Sequence, residues 1–120
     1  MLAGMNSATA LRVAAVFGFF AVALGAFGAH GLKATLEANG TLENWKTASL
    51  YHLVHAVVLL VVAQRTLIPR ATVWLFAAGI VVFSGTLYVL AITNLKWLGA
   101  ITPLGGLALL AGWLSLWRAR

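Results

Sequence analysis

Gly25-Ala26-Phe27-Gly28-Ala29-His30-Gly31-Leu32-Lys33 closes the first long apolar run of this chain, a run that opens near Leu11. Three glycines and a histidine crowd the place where such a run would meet the edge of a membrane. From Leu11 to Ala29 the run approaches the ~20 residues a helix needs to cross ~30 Å of hydrocarbon. Within it Ala14, Gly18, Ala21, Gly25 and Gly28 recur in alternating steps of four and three, so they share one helix face. Lipid tails are as apolar as leucine, so helices in a bilayer associate by close packing, and small residues permit it. The seam therefore predicts that the other helices assemble against this face. One Arg, an apolar run and small residues at Ala23, Gly25 and Ala26 imitate a secretory leader. The run is longer than a leader's apolar core, so a retained span is expected.

Composition places the rest of the chain in the same solvent. Of its 120 residues 62% are hydrophobic and only 8% charged, against about 25% charged in soluble domains. Three further apolar runs follow, giving expected spans at about 11–29, 45–63, 71–92 and 98–117 in one integral membrane domain covering 1–120. The expected fold class is an all-α membrane protein, a four-transmembrane-helix bundle. Residues 1–10, polar and small, read as a loose lead. Between the first two spans Leu32 and Leu36 lie four apart among Lys33, Glu37 and Asn39, which predicts a short interfacial helix. Asn39-Gly40 should stop it, and Thr41 should cap the helix that follows. Gln64, Arg65, Pro69 and Arg70 form a short turn that makes spans two and three antiparallel neighbours. Gly105, Ala108, Gly112 and Ser115 form a second small-residue seam in span four, where Pro103 suits the first helical turn.

A net charge of +6 does not mark a nucleic-acid binder, because the cations do not form a patch. They stand at the ends of apolar runs, where cations meet lipid headgroups. Arg12, Arg65, Arg70, Arg118 and Arg120 fall on the side of the termini, and Lys33, Lys46 and Lys96 on the other. Positive-inside then expects both termini in the cytoplasm. Trp45, Trp74, Trp97 and Trp117 read as interface anchors. The chain has no cysteine, which excludes disulfides, thiolate metal sites and a cysteine nucleophile.

That topology gathers the polar side chains. His30, Tyr51, His52, His55, Ser84, Tyr88, Asn94 and Thr102 all fall in the outer halves of the spans, and the inner halves hold almost none besides Gln64. At ~1.5 Å per residue His55 lies ~15 Å below Trp45, level with Ser84, while Tyr88 is level with His52. A His55–Ser84 hydrogen bond is expected. Ionisable groups at membrane depth turn inward and pair, and they are functional candidates by default. One reading is that they only hold the bundle together. Another is metal binding, since His52 and His55 lie three apart and His30 comes from a facing helix. Haem between two histidines, or a quinone head on His and Tyr, is a third. A small transporter is a fourth, although the spans hold no carboxylate.

Three stretches carry a resemblance. They are Gly25 to Leu32, Tyr51 with His55, and Phe83-Ser84-Gly85-Thr86-Leu87-Tyr88 running on to Leu98-Gly99-Ala100-Ile101-Thr102-Pro103-Leu104-Gly105-Gly106. Over nearly its whole length the chain resembles the YgdD/YwdK-like family of small bacterial inner-membrane proteins, a domain of unknown function. The resemblance implies four spans in the inner membrane and brings no established activity. The family often has Gln where this chain has His52, which moves weight from His52 to His30, Tyr51, His55, Ser84 and Tyr88; with Thr102 these form the candidate ligand or structural cluster. The sequence thus predicts a non-enzymatic accessory or scaffold protein with a polar pocket in the outer-leaflet half, open to a lipid or small ligand. No catalytic residue, cofactor or metal is assigned. Membrane lipids are the expected partners, with a homo-oligomer or larger membrane complex beyond them. The alternative is a haem-, quinone- or metal-binding redox component, or a small transporter.

Overall fold

The computed structural model describes residues 4–119, so residues 1–3 of the expected lead and Arg120 lie outside the described residues. Five helices follow in order: α1 Ser7–Ala29, α2 Lys33–Asn39, α3 Leu42–Val62, α4 Arg70–Thr93 and α5 Thr102–Arg118, with a 3-10 turn at Lys96–Ala100 ahead of α5. The described residues are 84% helical and hold no strand. α1, α3, α4 and the stretch Lys96–Arg118, of 21 to 24 residues, are long and apolar enough to cross a bilayer. The fold class read from the sequence is the one found, with α2 as the short helix between the first two spans.

Several ends are tied down by bonds that the sequence did not announce. The described part of the lead, residues 4–6, is not loose. Asn6 Oδ1 accepts from the amides of Ala8 at 2.7 Å and Thr9 at 3.3 Å, which caps α1 at Ser7. Met5 N–H donates to Ile68 C=O at 2.9 Å and fixes the lead to the turn before α4. Gly40 ends α2 in the left-handed region at φ 68°. Thr41, expected to cap α3, makes no side-chain cap. Its hydroxyl donates instead to Ala91 C=O at 2.7 Å, and Asn39 Nδ2 donates to the carbonyls of Ala91 at 3.0 Å and Ile92 at 3.1 Å. The last carbonyls of a helix have no partner within it, so the α2–α3 corner supplies partners for two of those of α4. Pro103 stands in the first turn of α5. A continuous α-helix from Leu98 would need an N–H at that position for the Gly99 carbonyl, which accounts for the 3-10 turn before Thr102.

The helices pack as a chain of neighbours. α3 and α4 lie side by side, α1 rests on α3, α5 rests on α4, and the backbones of α1 and α5 do not approach one another. The Cα envelope is accordingly flat, 48 × 26 × 16 Å. The expected assembly around α1 is therefore corrected: α3 and α4 form the centre, each packing broadly on two spans, and α4 carries buried Phe76, Ser84 and Ala91. Two cores result. One, around Leu59, Val73, Phe76 and Leu109, lies toward the termini, and the other, around Leu36, Trp45, Ala48 and Tyr88, lies toward the α1–α2 end. Val22, Leu104 and Leu110 are among many large apolar side chains turned outward, as a hydrocarbon surround permits.

The small-residue seams are used unequally. On α5, Gly105 meets the backbone of Phe83, and Gly112 meets the Phe76 ring. α4 answers with Gly79, against Leu109 of α5. Of the five seam residues of α1, Ala14, Ala21 and Gly28 are buried, Gly28 beneath the Trp45 indole. Gly18 and Gly25 face open space, with no atom within 4 Å of where a Cβ would stand. Their place in the seam reflects position on the face and not contact.

Candidate functional site

The polar residues singled out above do not form one cluster. His52 and Tyr88 pair, with Nδ1 to hydroxyl 2.8 Å, and the Tyr88 ring lies 4.6 Å from that of Trp45. The Tyr88 side chain reaches this bond from beside Trp45, since Thr41 meets Ala91 and Ala48 meets Ser84 along the same two helices, a register about two turns from the expected one. His52, given the least weight in the sequence, is 4% exposed and central. His55 does not bond Ser84. Its Nδ1 lies 2.8 Å from Tyr51 C=O one turn back, and Trp113 Nε1–H donates to its Nε2 at 3.0 Å. A carbonyl can only accept, so Nδ1 carries the proton and the imidazole is neutral with both nitrogens engaged. Neither is then open to an iron or zinc ion. Ser84 donates to Ala48 C=O at 2.8 Å, and Thr102 Oγ1 pairs with Thr86 Oγ1 at 2.7 Å. His30 is exposed at the end of α1, and Tyr51 is 43% exposed with its ring over His55. No group of three metal-ligating side chains forms among the described residues.

The half nearer the termini is less apolar than the sequence suggested. Thr72 Oγ1 and Ser115 Oγ lie 2.6 Å apart and bind the start of α4 to the end of α5. Trp45, read as an interface anchor, is 2% exposed and donates from Nε1 to Leu24 C=O at 2.9 Å, joining α3 to α1. These partners were missed because a Thr, Ser or Trp at a helix end has an ordinary role there. Gly28 one turn beyond Leu24 was the available signal, since an indole can lie on a backbone only where a Cβ is missing.

One recess opens at the α1–α2 end, between α1, α2 and α3. It holds about 500 Å³, and Gly25, Gly28 and Ala29 form its α1 wall. Lys33 and Glu37 come from α2, and Trp45, Lys46 and Ser49 from α3. Ser49 Oγ is buried without a hydrogen-bond partner, as is His52 Nε2 one turn deeper in α3. Lys46 and Glu43 make an exposed pair at 3.5 Å. The charged rim was legible in the sequence only as interfacial residues, because its three walls come from helices whose angular setting the sequence does not state.

Fold and side-chain bonding together define a small polytopic helical membrane protein whose in-membrane polar groups bond largely to one another. The chain belongs to the family described as "Protein of unknown function (DUF423)", whose model matches residues 24–106. It is 45% identical over 108 residues to the UPF0382 membrane protein YwdK of Bacillus subtilis, covering 85% of this chain and 87% of the relative. It is 39% identical over 117 residues to the UPF0382 inner membrane protein YgdD of Escherichia coli, covering 91% and 86%. A Staphylococcus saprophyticus UPF0382 membrane protein is 46% identical over 100 residues, covering 80% and 82%. No solved structure matches the chain.

Proposed function

We propose that this protein is a non-enzymatic accessory protein of the bacterial cytoplasmic membrane, acting as one membrane domain that holds a lipid or small amphiphile between α1, α2 and α3. The observation that carries this reading is the recess itself: an open glycine wall at Gly25 and a rim of Lys33, Glu37 and Lys46. The candidate residues deeper in the spans are, on this reading, structural. His55, Ser84 and Thr102 are each already bonded within the protein, and the His52–Tyr88 bond joins α3 to α4. An accessory role also implies a larger membrane assembly or a second copy, which co-purification in mild detergent would capture.

Gly25→Leu tests the recess without disturbing packing, because the new side chain enters empty space. Native mass spectrometry of protein purified from its own membrane should show a stoichiometric non-protein mass on the wild type, absent from Gly25→Leu. A bare wild-type chain, or an adduct that survives the substitution, would remove the proposal.

The orientation is part of the same reading. Arg12, Arg65, Arg70 and Arg118 lie at the end of the termini and Lys33, Lys46 and Lys96 at the other, so positive-inside sets both termini in the cytoplasm and the recess in the outer half. Alkaline phosphatase joined after Asn94 should be active and the same enzyme joined after Ala119 inactive. The reverse pattern would invert the assignment.

A further inference from the structure

We infer that the ligand of this recess is a phospholipid whose head carries both a phosphate diester and a primary amine, a phosphoethanolamine lipid. The inference rests on the recess being a ligand site, as proposed above. Lys33 and Glu37 stand one turn apart on α2 and so share a face, and Lys46 and Ser49 likewise share a face of α3. Both faces look onto the same cavity, with Gly25 of α1 opposite. The rim therefore offers two ammonium groups and one carboxylate.

The rim charges are available to a ligand. Among the described residues the ion pair found is Lys46 with Glu43, whose side chains are 63% and 86% exposed. Pairs so exposed hold weakly and yield readily to a better partner. Lys33 precedes Glu37 by four residues, the poorer order for a helical ion pair, and the two form none.

A phosphoethanolamine head answers all three charges, with its phosphate at Lys33 and Lys46 and its ammonium at Glu37. A phosphoglycerol head leaves the carboxylate facing an anion with no cation to offset it. A choline head has no N–H to donate to that carboxylate. Ser49 lies three residues beyond Lys46, ~4.5 Å deeper along α3. There the Ser49 side chain lines the recess below the level of the phosphate. The small wall at Gly25 and Gly28 leaves room for the glycerol and the start of an acyl chain.

The test uses the full chain in nanodiscs made from equal parts phosphatidylethanolamine, phosphatidylglycerol and phosphatidylcholine, with bound lipid identified by native mass spectrometry. Wild type should retain phosphatidylethanolamine over both others. Lys33→Gln with Lys46→Gln should lower that retention roughly tenfold or more. Glu37→Gln should leave lipid bound and erase the preference for phosphatidylethanolamine over phosphatidylglycerol. All three positions sit on the recess rim, and a melting curve for each variant confirms that folding is intact. Excess soluble glycerophosphoethanolamine should not displace the lipid; displacement would assign the same head chemistry to a water-soluble ligand and overturn the lipid. Equal retention of the lipids, or indifference to Glu37→Gln, overturns the phosphoethanolamine assignment. In that case Gly25→Leu separates the two proposals: if it still empties the recess, the site stands with another ligand, and if it changes nothing, both fall.

Discussion

Gly105→Leu is expected to separate α5 from α4 and to cost more stability than the same change at any other glycine of the bundle. A Cβ at Gly105 would stand 2.7 Å from Phe83 Cα and 2.8 Å from the Val82 carbonyl carbon, nearer than real Cβ atoms come to any neighbour. Those are backbone atoms in the middle of α4, so no side chain can swing aside. Overpacking where neighbours can yield costs about 1–3 kcal/mol, and here the helices themselves must move. Thr86–Thr102 and Thr72–Ser115, the bonds above and below the contact, would lengthen with them. Gly106→Ala is the control. Its Cβ would meet only the Phe83 ring, at 3.7 Å, and alanine favours a helix over glycine by about 1 kcal/mol. Thermal melts in detergent should show a large fall for Gly105→Leu and none for Gly106→Ala. Equal behaviour of the two would mean that α4 and α5 are not in backbone contact at Phe83.

The second large effect belongs to the other seam. Gly28→Ala places a methyl group inside the Trp45 indole, against Nε1 and Cδ1, with Cε2 at 3.0 Å. The ring cannot withdraw without giving up its bond to Leu24 C=O and its 2% exposure in the α1–α2 core. A loss of ~1–3 kcal/mol is expected from overpacking. Trp45→Leu should be costly for a different reason, the lost indole bond and the cavity it leaves. In the double variant the clash is gone, so Gly28→Ala should cost little once Trp45 is Leu. Additive losses in that cycle, read as melting temperatures, would show that the indole does not lie on Gly28.

How much of this was legible follows from which physical signals are local. The spans were legible, because ~20 apolar residues in a row have one common explanation. α2 was legible from Leu32, Leu36 and the Asn39-Gly40 stop. Depth was legible only coarsely: the His52–Tyr88 pair forms, but Ser84 meets Ala48 and His55 meets Phe76, about two turns from the expected register. Azimuth was not. His55 lies about two turns from the level of Ser84, beside Phe76, and turns to α5, where Trp113 waits 58 residues away in sequence. No pattern within α3 announces a partner so distant. The α1 seam misled for the same reason: five small residues share a face, yet only Ala14, Ala21 and Gly28 of them are buried, and Gly18 and Gly25 stay bare. Thr41 and Asn39 looked like local stop and start signals, whereas their side chains serve carbonyls of α4 about fifty residues on.

The order in which these helices touch has a consequence for how the protein is made. α3 packs on α1, α4 on α3 and α5 on α4, with nothing joining first to last. Each span that leaves the ribosome thus finds its mate already in the bilayer, and no helix need wait for one not yet synthesised. The exceptions are small: the Ala91 and Ile92 carbonyls reach back to Asn39 and Thr41, and His55 receives its proton donor only when Trp113, in the last span, arrives.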